Sequence, residues 1–87
     1  MAFDGECEIR RVGTTPDGRV QLDLQAAGKN PDGTPLFVWN WFLGKPELTR
    51  EILAIALAAI TSGKRVFVQI DDPAVSWSEV YRFGLVK

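Results

Sequence analysis

Residues 46–63, Pro-Glu-Leu-Thr-Arg-Glu-Ile-Leu-Ala-Ile-Ala-Leu-Ala-Ala-Ile-Thr-Ser-Gly, form the one run whose apolar spacing predicts a helix. Pro46 suits a first helical turn, where its missing N–H would have no intrahelical partner. Glu47 and Glu51 bring negative charge to the positive end of the helix. Gly63 supplies a left-handed stop, so the helix is expected from Pro46 to about Ser62.

Upstream of the helix the pattern changes to that of strands. Leu36 to Leu43 is apolar on both faces, with three aromatics and a β-branched residue, and predicts a third strand buried on both sides. Gly28 to Pro35 collects Gly, Asn, Pro and Asp and reads as a hairpin loop. Before it, Val20, Leu22, Leu24 and Ala26 alternate with Arg19, Gln21, Asp23 and Gln25, the signature of a half-buried antiparallel strand. Pro16-Asp17-Gly18 is a turn, and the weaker alternation from Cys7 to Val12 predicts a short first strand.

Downstream, Arg65 to Asp71 reads as a fourth strand with Val66, Val68 and Ile70 inward. Asp71-Asp72-Pro73 is a turn, and Val80 to Val86 a fifth strand with Tyr81, Phe83 and Leu85 on one face. The order is mainly β with one helix, β-β-β-α-β-β, in a single domain over 1–87. Five strands with a helix between the third and fourth predict an OB-fold-like barrel whose helix plugs one end. The alternative is an open α+β sheet with one covering helix.

Composition narrows the partners. The 87 residues carry 10 Lys plus Arg against 11 Asp plus Glu, a net charge of −1, which disfavours nucleic acid or an anionic membrane held mainly by charge. One Cys and no His preclude an internal disulfide and remove the common zinc ligand sets. No apolar run nears the roughly 18 residues of a membrane span, so insertion is not expected. Met1 to Glu6 lacks the basic start and apolar stretch of a secretory signal. A lone cysteine suits a cytoplasmic chain, the alternative being a secreted chain whose signal was removed.

The helix has more apolar surface than a small barrel needs. Leu48, Ile52, Ile55 and Ala59 share one side, while Leu53, Leu57 and Ile60 form a second, offset by roughly 100°. Leaving three large aliphatic side chains wet forfeits several kcal/mol at about 25 cal/mol per Å². The second side is therefore expected to pack on another copy of the chain, with Leu53, Leu57 and Ile60 as the oligomer interface. The competing reading covers it with the Gly28–Pro35 loop or the N-terminal arm.

From residue 46 onward the apolar helix, the Ser62-Gly63-Lys64 stop, the alternating strand Arg65 to Val68, Trp77, and the last strand through Val80, Phe83 and Leu85 resemble the B subunits of pentameric bacterial toxins. The resemblance is to the broad cholera-, pertussis- and subtilase-type group and its small relatives. It implies the barrel and a homo-oligomeric ring, a pentamer in that group, with the helix lining the channel. Many members of the group bind cell-surface sugars, which leaves a glycan or a protein as the ligand class. The chain departs from the pattern in having no signal and no disulfide pair, and no sugar-site motif maps onto it.

Trp39, Trp41 and Trp77 are the residues a ligand would use, since flat indoles stack on sugar rings or unstacked bases. Trp39 and Trp41 point to the same side of the predicted third strand. The plainer reading makes both core or interface residues, with Trp77 sealing the barrel. Asp71 and Asp72 lack the oxygen ligands and spacing of a hard-cation site and read as a solvated turn. Cys7 has no His to activate it. Arg10, Arg11 and Arg19, interspersed with Glu8, Asp17 and Asp23, read as a mixed solvated face. The expectation is a non-enzymatic, self-associating binding module with no cofactor, metal or catalytic residue. A single-stranded nucleic-acid-binding OB domain is the alternative.

Overall fold

Val20, Leu22 and Leu24 alternate with polar residues and are fully buried in β2 (Val20–Ala26), the strand the sequence displays most clearly. The structure, a computed structural model, describes residues 2–86. Its other strands are β1 (Phe3–Thr14), β3 (Asn40–Gly44), β4 (Val66–Ile70) and β5 (Glu79–Leu85). They close into a barrel in the order β1-β2-β3-β5-β4, so the sheet is not open. This is the OB-fold-like arrangement expected from the element order.

Closure depends on β1, which is 12 residues long and serves two neighbours. Its first part, Phe3 to Cys7, pairs with β4, and Cys7 to Thr14 pairs with β2. The seam on the opposite side is a short parallel contact, Leu43 with Glu79 and Gly44 with Val80. Arg19 reinforces that seam: its Nη2 donates to the Gly44 carbonyl at 2.9 Å and to Glu79 at 3.3 Å.

A helix, α1 (Thr49–Ser62), follows a 3₁₀ turn over Pro46–Leu48. Ile52, Ala56 and Ala59 are buried in the barrel core with Phe42, Val66, Val68, Ile70 and Val80. Gly44 admits the helix: a Cβ there would stand 2.9 Å from Ile52 Cδ1. Gly63 ends the helix at φ 70°, the left-handed conformation that favours glycine.

Three departures from simple alternation correct the sequence reading, and all have one cause. Side chains on a strand alternate with a period of two, so inward residues of mixed parity require an extra residue. In β1, Ile9 and Val12 both pack on the core, and the register slips between Ile9 and Arg11. Arg10 is the extra residue, and Arg11 therefore does not share the face of Cys7 and Ile9. In β5, Val80 pairs with Ile70 and Arg82 with Gln69, so Tyr81 is extra and stands 39% exposed rather than continuing the face of Phe83.

The predicted strand Leu36–Leu43 breaks for the same reason. Phe37 packs edge-on between Phe3 and Phe42, at centroid distances of 5.0 and 5.6 Å. One continuous strand cannot turn both residue 37 and residue 42 inward. The chain bends between them, β3 starts only at Asn40, and Leu36 and Val38 stand exposed. Burial on both faces, expected for this stretch, is not found: Phe42 is fully buried, while Trp39, Trp41 and Leu43 on the other face are only half-buried.

Candidate functional site

Two parts of the surface carry the residues singled out from the sequence. The first is the outward side of α1. Leu57 is 50% and Ile60 38% exposed, whereas Leu53 is half-buried and packs on the core. The strip open to solvent is therefore narrower than three large residues, and among the described residues neither the Gly28–Pro35 loop nor the N-terminal arm buries Leu57 or Ile60. Beside Ile60 a depression of about 360 Å³ is lined by Ile9 together with Glu8, Lys64 and Arg65. An apolar strip thus adjoins a rim with charges of both signs. A second depression of about 320 Å³, floored by Phe3, Leu36, Phe37 and Pro73, lies between the β2–β3 and β4–β5 loops.

The second part is the outer surface of β1, β2 and β3. Arg11 pairs across with Asp23, and Asp23 with Trp41, so these three residues form a row over adjacent strands. The extra residue in β1 brings Arg10 to the same surface. Asp23 Oδ2 accepts hydrogen bonds from the Nε of Arg10 and the Nε of Arg11, both at 2.9 Å, and Arg11 Nη2 makes an ion-pair contact with it at the same distance. The Arg10 guanidinium lies 4.5 Å from the Trp39 ring centroid and that of Arg11 4.9 Å from Trp41. Both are within cation–π range.

Under these groups Asp23 is only 1% exposed. The expected solvated charge face is instead a covered carboxylate clamped by two guanidiniums. Sequence reading placed Trp39 and Trp41 here but missed Arg10, Arg11 and Asp23 as their partners. The signal was the parity break between Ile9 and Val12, which forces two consecutive arginines outward.

Trp77 joins the cluster from the β4–β5 loop. Its ring stacks on Trp41 at 6.1 Å and 14°, and its backbone N–H donates to the Trp41 carbonyl at 2.8 Å. The residue sits at φ 67°, a conformation bulky side chains rarely adopt, and is 49% exposed. Next to it, Ser76 Oγ donates to Asn40 Oδ1 at 3.0 Å. The turn at Asp71 and Asp72 is pinned locally: Asp72 Oδ1 accepts from the Ala74 N–H, and the Asp72 N–H donates to Ser78 Oγ. Asp72 is half-buried, unlike the solvated pair expected. Among the described residues no group of three or more His, Cys, Asp or Glu side chains is placed to hold a metal ion. No helix among them is long and apolar enough to cross a membrane.

Cys7 is fully buried, and burial pushes its thiol up to about 12. The folded chain therefore resists forming the thiolate that reacts with electrophiles. Native protein is expected to withstand iodoacetamide at about pH 8 and to react once unfolded in urea. Equal rates in the two states would contradict the burial. The linkage has a definite sign: the unfolded chain releases this proton at an ordinary thiol value, while the folded chain holds it to about 12. The stabilising contribution is complete below the ordinary value and is lost as pH climbs toward 12.

Compared with protein-family models, curated proteins and solved structures, the chain matches none.

Proposed function

We propose that this protein is a non-enzymatic assembly module, a barrel that associates with copies of itself through the outward side of α1, in the manner of the toxin B subunits that its C-terminal half resembles. The observation that carries the reading is the pair Leu57 and Ile60, 50% and 38% exposed on a helix whose other side is fully buried. Drying these side chains against a neighbour favours association by about 25 cal/mol for each Å² of apolar surface removed from water. The depression beside Ile60 sets Ile9 and Ile60 next to Glu8, Lys64 and Arg65, so charged groups of both signs adjoin the apolar strip, as they do at the edge of an interface.

A ring is the form this association takes in the reading, and five copies is the number the resemblance supplies. A glycan or protein partner would then be held by the assembled ring. Single-stranded nucleic acid is less well served, because the two guanidiniums on the aromatic face are already directed at Asp23. Such ligands need a cationic groove along the backbone.

Sedimentation equilibrium and light scattering at tens of micromolar test the proposal directly. The expected mass is a small whole multiple of 9.6 kDa, with five copies agreeing with the toxin-like ring. A mass of 9.6 kDa across the whole concentration range would end it.

A further inference from the structure

We infer that the outer surface of β1–β3 is a binding site for a flat ring that carries one carboxylate or phosphate group. The inference does not depend on self-association, because it uses a different face of the barrel from Leu57 and Ile60.

The anion-recognising part is Arg10. This side chain gives Asp23 only its Nε, at 2.9 Å, and sets its guanidinium carbon 4.5 Å from the Trp39 ring centroid. Among the described residues neither Nη of Arg10 makes a hydrogen bond to the protein, and the side chain is 48% exposed. Two parallel N–H groups on a fixed guanidinium are the fork that grips both oxygens of a carboxylate or phosphate. Trp39 beneath and Asp23 at the Nε edge hold the fork in place before any ligand arrives, which lowers the entropic cost of binding.

Charge sets how many anionic groups fit. Arg10 and Arg11 against Asp23 leave the cluster one positive charge in surplus. Glu8, the nearest acid along β1, lines the depression shared with Lys64 and Arg65. One anionic group balances the surplus, whereas a polyanion would need a cationic track that the face lacks.

The ring-recognising part is the indole series. The cluster is built of planar groups: a guanidinium over Trp39, a guanidinium over Trp41, and Trp77 stacked on Trp41. A further layer on such a stack is most favourable when it is flat too. Trp77 is the open end of the series, 49% exposed yet locked by its backbone hydrogen bond to Trp41. Its left-handed backbone at φ 67° stores strain that core packing does not explain, because the side chain is half in water. Strain of this kind clusters at ligand clamps.

The test is a tryptophan-fluorescence titration of the full chain with minimal probes, benzoate and phenyl phosphate. At least one should quench saturably, and the comparison between them tells carboxylate from phosphate as the preferred group. Acetate, which lacks the ring, and benzamide, which lacks the charge, should bind at least tenfold more weakly. R10K keeps a cation over Trp39 but loses the fork, and should weaken the preferred probe about tenfold, or by about 1.4 kcal/mol. W77G suits the left-handed backbone and should remain folded by circular dichroism while losing affinity to a similar degree. Leu57→Asp should leave the titration unchanged, which separates this site from the assembly face. The proposal is overturned by benzamide matching benzoate, by R10K and W77G binding like the unaltered chain, by glucuronate matching benzoate, by oligo-dT outcompeting phenyl phosphate, or by no saturable quenching.

Discussion

Replacing both Arg10 and Arg11 with alanine is expected to destabilise the fold by about 1.5–3 kcal/mol, from the charge-assisted hydrogen bonds to Asp23 and the cover over Trp39 and Trp41 that are lost, while the carboxylate they shield gains water in their place. Asp23 is 1% exposed, and its Oδ2 depends on those two side chains for its hydrogen bonds. A chain of this length has roughly 4–13 kcal/mol in total, so the loss is a measurable fraction of its stability. Asp23→Ala should cost less, about 1 kcal/mol. The two arginines are 48% and 57% exposed and would return to water, their attraction to the carboxylate already being partly screened. Urea denaturation of the two variants gives the comparison. If Asp23→Ala proves the more damaging, the covered carboxylate is not what the arginines support.

Leu57→Asp combined with Ile60→Asp is expected to convert an assembled protein into a monomer, lowering the association constant at least a hundredfold, about 2.7 kcal/mol. Each substitution would leave a carboxylate in the apolar centre of the contact, unpaired on removal from water. Both positions are open to solvent within one chain, so the barrel should be little disturbed. Sedimentation velocity with a parallel thermal melt distinguishes the cases. A mass unchanged by the double substitution would remove α1 from the interface. A monomer that melts far below the unaltered protein would mean that these residues support the barrel.

What was legible in the sequence was whatever a strand or helix declares by its own periodicity. Val20, Leu22 and Leu24 in β2, Val66, Val68 and Ile70 in β4, and the Gly63 stop of α1 all lie where local pattern placed them. The order of elements followed, and with it the barrel. Lost were the places where tertiary packing overrides the period. Phe37 and Phe42 are both drawn to one aromatic contact, and the strand between them is sacrificed.

The aromatic face was half legible. Trp39 and Trp41 were noticed for their chemistry, but Arg10, Arg11 and Asp23 looked like ordinary surface charge because their partnership spans β1 and β2. Composition along the chain showed balanced charges; only the register slip shows that two of them share a carboxylate. Trp77 joins through a backbone conformation that its residue type disfavours, which no propensity would suggest.

The double duty of β1 bears on how the barrel comes into being. Phe3 finds its ladder partner only at Ile70, and β4 must then meet β5, which reaches nearly to the end of the chain. A growing polypeptide therefore holds its first strand with one edge unmatched until β4 has emerged. Distant pairings of this sort place folding in the slow, millisecond-to-second regime of small β proteins. The barrel can close only once β5 has emerged to join β3 and β4.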